Sequence, residues 1–265
     1  MQKAFLYIDI LAFESLVRSK SAKVERIFKI FDSLKVFQHH ALETIVFSDT
    51  IIVFSKDEGN PIHYYFTFLT EYSQQLFYKL SEINIYFKAI LCTGEFNFKK
   101  LTNFQAYHGQ ALIDAYKDEK CLPGFGLFVK KQDTGNINAF IEVPLSEEYN
   151  FVILCQSFSN LYRTTSGFLP VDDVSIFEET DTFFRIEEDI RFLREINYYR
   201  LNIPSERIRE KYEKVYSIYK STFPLFFEKF ETYGFDPFIL HTDFIPSLNP
   251  EEIDAMRDVA EMNKH

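Results

Sequence analysis

The sequence predicts an α+β protein, a ferredoxin-like β-α-β-β-α-β core followed by a helical C-terminal extension. Three observations lead there. Apolar runs rich in β-branched residues ("FLYIDI", "LETIVFSDTIIVFS", "INIYFKAILCTGEF") alternate with stretches whose apolar residues recur three and four positions apart. With 46% hydrophobic residues in 265, including 31 Phe and 16 Tyr, there is material for a sizeable core. Beyond an acidic stretch at 172–182 ("DDVSIFEETDT") only helical spacing continues.

Residues 4–10 read as a buried strand. From Glu14 to Leu34 the apolar positions Leu16, Val24, Ile27, Phe31 and Leu34 recur near helical spacing, with Arg18, Lys20, Lys23 and Lys29 between them. That is an amphipathic helix. Residues 42–55 are two β-branched runs broken only by Ser48–Asp49, the mark of a hairpin with a tight corner. The loop "KDEGNP" ends at Pro61, and a second helix covers 62–82. A strand over 83–96 ends in Thr93–Gly94, and a third helix, opened by Gly109, covers 109–120. Two further strands are expected at 124–131 and 150–156, with the helices on one face of an antiparallel sheet.

The acidic stretch suggests a boundary, giving a domain over 1–170 and a helical extension over 171–265. Ile186, Ile190, Leu193 and Ile196 mark one helix of the extension, and Ile208, Tyr212, Val215, Tyr219 and Phe223 the next. Pro204 and Ser205 supply a start signal between them. A short terminal helix is expected over 249–262.

A net charge of −10 and a pI near 5.2 argue against a bulk electrostatic grip on nucleic acid or an anionic membrane. No apolar run reaches the ~18 residues of a membrane span, and no signal pattern opens the chain, so a cytoplasmic protein is expected. Cys92, Cys121 and Cys155 lack metal-ligand spacing and read as reduced thiols.

One residue resists the apolar pattern. Asp9 stands inside "FLYIDILAF", where a carboxylate costs several kcal/mol unless something meets it. A helix N-cap or strand-end turn is one answer, and a divalent metal is the other. The metal needs a second carboxylate, and Asp49 supplies it. The end of the first strand and the hairpin corner of a β-α-β-β unit fall on the same edge of the sheet. Two such carboxylates repel unless cations hold both ionised.

Four stretches share an order with one family. "DILAF" is similar to the D-I-x-x-F element of class III nucleotide cyclases, and "ETIVFSDTIIVF" to their "ETIGD" hairpin, with Asp49 on the second Asp. "KAILCTGEF" resembles their "GIHTGEV" strand, and "GQALIDAYKDEK" their "GxxVNxAxR" helix. The resemblance covers roughly residues 4–156. It implies two Mg²⁺ or Mn²⁺ held by Asp9, the Ile10 carbonyl and Asp49, with the amides of Leu11, Ala12 and Phe13 on the triphosphate. It also implies a head-to-tail homodimer, because the charge-stabilising group of that helix acts across the subunit interface.

The departures are specific. Ile113 stands for the family's Asn, Lys117 for its Arg, and Ile45 for the residue that commonly reads a purine. This pattern resembles the bacterial pyrimidine cyclases of Pycsar antiphage systems, which implies UTP, or CTP, as substrate and a separate effector that reads the cyclic product. A purine cyclase, an inactive cyclase and a non-catalytic nucleotide sensor on the same fold are the alternatives. A palm-type diguanylate cyclase would need a "GGDEF"-like corner, and here it reads "FSDT".

Other residues have plainer explanations. Lys117 begins the run "KDEK", which suits a solvated helix end as well as catalysis. Lys130 and Lys131 end a strand, where exposed lysines are common; phosphate contact is the alternative reading. His39, His40 and His108 have no partner spacing for metal or nucleophile roles, and Thr93–Gly94 suits a backbone turn. No P-loop, G-x-S-x-G or Cys/His dyad occurs.

Overall fold

The computed structural model describes residues 2–34, 39–56, 59–137, 139–177, 183, 185–241 and 243. The chain divides into two compact units, Met1–Leu154 and Cys155–His265.

The first unit is an α+β layer structure. Its strands are β1 (Gln2–Ile10), β2 (Leu42–Phe47), β3 (Thr50–Ser55), β4 (Phe87–Glu95), β5 (Asn97–Lys100), β6 (Gln105–His108), β7 (Gly126–Lys130), β8 (Ile141–Pro144) and β9 (Tyr149–Ile153). Its helices are α1 (Phe13–Arg18), α2 (Lys23–Ser33), α3 (Ile62–Ser81) and α4 (Gln110–Cys121). Seven strands form one sheet in the order β2-β3-β1-β4-β7-β9-β8, and β5 and β6 form a separate ribbon. The first four strands, with α1, α2 and α3 between them, realise the β-α-β-β-α-β order read from the sequence.

The expectation of helices on one face of an antiparallel sheet is corrected in two respects. β4 and β7 run parallel, and α4, which lies between them in the chain, covers a different face from α3. Side chains alternate along a strand, so Lys88 lies on the same face as its register partner Asp9. The Lys88 ammonium reaches the carbonyls of Glu119 and Leu122 at the end of α4, which puts α4 on that face. The opposite face, with Ala4, Leu6, Ile8 and Ile10 of β1, is fully buried as well. The helices left in this unit to cover it are α2 and α3, which pack on each other and, through α3, on β1, β4 and β7. Small residues let α4 come close: a Cβ added at Gly94 of β4 would lie 2.7 Å from the Ala111 Cβ.

The single helix expected over 14–34 is two, because the chain turns at Ser19–Ala22. Lys20 there takes a φ of 53°, and the Ser21 hydroxyl accepts the Lys23 amide as α2 restarts. The short strands β5, β6 and β8 and the helices α5 (Gln156–Thr165) and α8 (Pro224–Thr232) were not expected. The helix expected over 249–262 lies outside the described residues, as does part of the acidic stretch.

In the second unit, α5, α6 (Ile186–Asn202), α7 (Glu206–Thr222) and α8 enclose an aromatic core. The Phe158 ring lies 5.1 to 6.3 Å from the rings of Phe223, Phe226, Phe227 and Phe230, mostly edge to face. The fully buried Asp189 of α6 accepts the Phe158 amide at 2.9 Å, so a carboxylate tethers the first turn of α5. Phe158→Ala removes the ring that the other four share. It should cost about 3–5 kcal/mol of unfolding free energy, measured as a lower urea midpoint.

Candidate functional site

The two candidate carboxylates meet through backbone register. β1 pairs with β3 so that Asp9 lies opposite Thr50, and the Ile10 amide donates to the Asp49 carbonyl at 3.1 Å. β2 and β3 are joined by only Ser48 and Asp49, and Ser48 adopts the left-handed conformation (φ 57°) that such corners require. Asp9 and Asp49, both half-buried, therefore sit side by side at one end of the sheet.

Reading across the strands, one row on this face runs Phe47, Thr50, Asp9, Lys88, Gly126. The next row inward runs Ile45, Ile52, Tyr7, Ile90, Phe128. Tyr7 reports on the charge around it. Burial raises its phenol most, a hydrogen bond with the Thr50 side chain lowers it, and Asp9, Glu119 and Asp49 raise it, which together bring it to about 12. Three carboxylates thus act on one neutral phenol. Glu119 was missed by sequence reasoning, since it falls inside the charged run "KDEK" that reads as a solvated helix end.

The loop after Asp9 is partly committed to the fold. The Leu11 amide donates to the Tyr86 carbonyl at 2.9 Å. Ala12 turns left-handed (φ 62°), and the amides of Ala12 and Phe13 open α1, where a first turn has no intrahelical acceptors.

Lys117 is not brought to Asp9 by its own helix. It lies on the outer side of α4, in an exposed stripe with Ile113 and Tyr116, and the Lys120 ammonium rests 3.9 Å above the Tyr116 ring. The inner side of α4 is held down. Lys130 lies 3.6 Å from Asp118 and 4.0 Å from Asp114, and the Tyr149 hydroxyl donates to Asp118. Lys130 is thereby paired within the fold. Thr93 donates its amide and hydroxyl to Asp133. Burial pushes the Cys92 thiol up to about 12, so it is no nucleophile near neutral pH.

Among the described residues no group of three or more His, Cys, Asp or Glu is arranged to hold a metal ion. A pair of carboxylates nevertheless suits Mg²⁺ or Mn²⁺, hard cations usually held by one or two carboxylates together with substrate phosphates. Among the described residues no helix is long and apolar enough to cross a membrane.

No family model matches the chain, and no curated protein matches it. Solved structures with a similar chain trace include a bacterial light-regulated adenylyl cyclase, 15% identical over 62% of this chain and 96% of that one, with a TM-score of 0.44. The guanylate cyclase domain of RhGC from Catenaria anguillulae in complex with GTP is 11% identical over 57% and 96%, with a TM-score of 0.44. The adenylyl cyclase CyaB from P. aeruginosa is 9% identical over 57% and 93%, with a TM-score of 0.41. All three likenesses are distant.

The corner itself offers a stability test. Ser48 holds a left-handed conformation that disfavours a Cβ, at the place where the motif "ETIGD" has glycine. Ser48→Gly should raise stability by about 0.5–1 kcal/mol, read as a higher urea midpoint, after the extra freedom of glycine in the unfolded chain is subtracted.

Proposed function

We propose that the chain is a cytoplasmic nucleotide cyclase, with its catalytic part in residues 1–170 and a helical extension in 171–265. It would turn UTP, with CTP as the main competitor, into the 3′,5′-cyclic monophosphate and pyrophosphate, a signal for antiphage defence read by a separate effector. The observation that carries this reading is the adjacency of Asp9 and Asp49, fixed by the β1–β3 register and the two-residue corner. The four motif stretches, in family order, support it.

Asp9, Asp49 and the Ile10 carbonyl would hold two Mg²⁺ or Mn²⁺. When bound, these would supply the charge that acidifies the ribose 3′-hydroxyl and offsets the leaving phosphates. The Ala12 and Phe13 amides would donate to phosphate oxygens; the Leu11 amide, used by Tyr86, is left out of that task. In the reaction the 3′-oxygen loses its proton and bonds to the α-phosphorus in line, and the bond to the β-phosphate oxygen breaks. Lys117 of a second copy would offset charge on the α-phosphate, less rigidly than a guanidinium. The outer stripe of α4 and the exposed Phe98, Leu101 and Phe104 of the β5–β6 ribbon provide apolar surface for that homodimer.

The base side is apolar. Ile45 carries no hydrogen-bonding group, and Phe47, 79% exposed, adds bulk beside the corner. Bulk without a purine reader favours a single-ring base, although shape alone discriminates by only about 1–3 kcal/mol. A second reading, a non-catalytic nucleotide sensor, is favoured by Ile113 and Lys117 standing where the family motif has Asn and Arg.

Pyrophosphate release and product mass, measured with each of the four nucleoside triphosphates and Mn²⁺, separate these readings. Cyclic UMP as the main product is expected; cyclic AMP or cyclic GMP would return the chain to purine chemistry, and no turnover would favour the sensor. Asp9→Asn and Asp49→Asn each keep side-chain shape while removing a metal charge. Each should lower turnover at least about a hundredfold, with an unchanged circular dichroism spectrum. Mixing an Asp9→Asn chain with a Lys117→Ala chain should recover activity, because one of the two interfacial sites is then intact. Stable mixed dimers without any recovery would put Lys117 in the site of its own chain or outside the reaction.

A further inference from the structure

Lys88 of β4 is only 3% exposed, in the row of Asp9 and directly opposite it in register. An ammonium buried there must use its three donors. It does so on α4: the Glu119 carbonyl lies at 2.6 Å, the Leu122 carbonyl at 2.9 Å and the Glu119 carboxylate at 3.3 Å. The two carbonyls belong to the end of the helix, where acceptors have no intrahelical donor and the helix dipole is negative.

We infer that Lys88 is a positioning residue: it fixes the last turn of α4, and with it Lys117, over the sheet row that holds Asp9. The inference rests on the reading of Asp9, Asp49 and Lys117 as the reacting groups. The other tethers of α4 act earlier along it. Gly94 meets Ala111, Lys130 meets Asp114 and Asp118, and Tyr149 meets Asp118. Lys88 alone reaches past them to residues 119 and 122 among the described contacts, in the turn that follows Lys117. Stability by itself does not account for a lysine here. Replacing both members of a buried ion pair by apolar groups of similar volume is often neutral or stabilising, so apolar residues at 88 and 119 together would serve a mere core. What a methionine lacks is a directed hold on the two carbonyls.

The test compares Lys88→Met and Lys88→Arg in the full-length protein. Amide hydrogen exchange over residues 118–122 should be at least about tenfold faster in Lys88→Met, with β1 and β4 unchanged. Its kcat should fall at least about tenfold while KM for Mn²⁺–UTP stays within about threefold. Affinity for Mn²⁺ alone, by calorimetry, should also stay within about threefold. Lys88→Arg, which keeps the donors, should return both exchange and kcat to within about threefold of wild type.

A folded Lys88→Met protein with wild-type exchange in α4, or with wild-type kcat, would overturn the inference. So would a loss of Mn²⁺ affinity matching the loss of kcat, which would put Lys88 on the metal side of the site. Should Lys88→Met not fold, Glu119→Gln removes the charged partner alone. It should speed exchange and lower kcat by about threefold each, and no change in either would overturn the inference. A wild-type protein that releases no pyrophosphate from any triphosphate sinks the cyclase reading; the exchange comparison of Lys88→Met with Lys88→Arg then decides the hold on α4 by itself.

Discussion

Strand β1 is hydrogen-bonded along both edges, to β4 from Gln2 to Ile10 and to β3 from Phe5 to Asp9. A strand held on both sides cannot slip by one residue without sending every side chain to the other face. Here a slip would carry Asp9 into the layer of Ala4, Leu6 and Ile8, which have no exposed surface. The apolar pattern of β1 therefore locks the position of its one carboxylate. Asp49 inherits its place from that lock, because it stands one residue before Thr50, the partner of Asp9. Ser48 inherits its strained backbone from the same source, since two residues must reverse the chain at the spacing β2 and β3 impose.

The charges on this face are arranged by the same rows. Lys88 is the cation nearest Asp9 in the register, yet its ammonium is spent on Glu119 and two carbonyls. Glu119 offsets the charge of Lys88 on this face. Tyr7 in the next row inward remains a neutral phenol, its pKa at about 12.

Which parts of this were legible beforehand follows from how local each signal is. The hairpin could be read because β-branched runs on both sides of a Ser-Asp dipeptide admit one corner, and Asp9 because a carboxylate is conspicuous in an apolar run. The face taken by α4 is not local. It follows from the close approach of Ala111 to Gly94 and from the reach of Lys88, contacts between residues 17 and more positions apart. The strands β5, β6 and β8 are four residues each, too short to show an alternation. The break at Ser19–Ala22 hides inside an apolar spacing that continues across it. Lys88 did leave a trace, a lone lysine between Phe87 and Ala89 in a strand buried over its first six residues. Its partners on α4 lie 31 and 34 positions along the chain, so nothing local marks what it holds.

α4 then joins the two halves of the argument, because its two sides answer to different demands. Its inner side is committed: Ala111 and Ala115 to the sheet, Asp114 and Asp118 to Lys130, Glu119 to Lys88. On a 3.6-residue helix those commitments leave Ile113, Tyr116, Lys117 and Lys120 pointing outward, wherever the helix sits on the sheet. Lys117 stands on the exposed side of the helix, away from the contacts that Glu119 makes with Lys88. A helix clamped this firmly on one side is a rigid mount for whatever stands on the other. On the proposed reading that makes the site two-chained by construction, with the carboxylates held by β1 and the hairpin of one copy and the lysine presented by the clamped helix of the next.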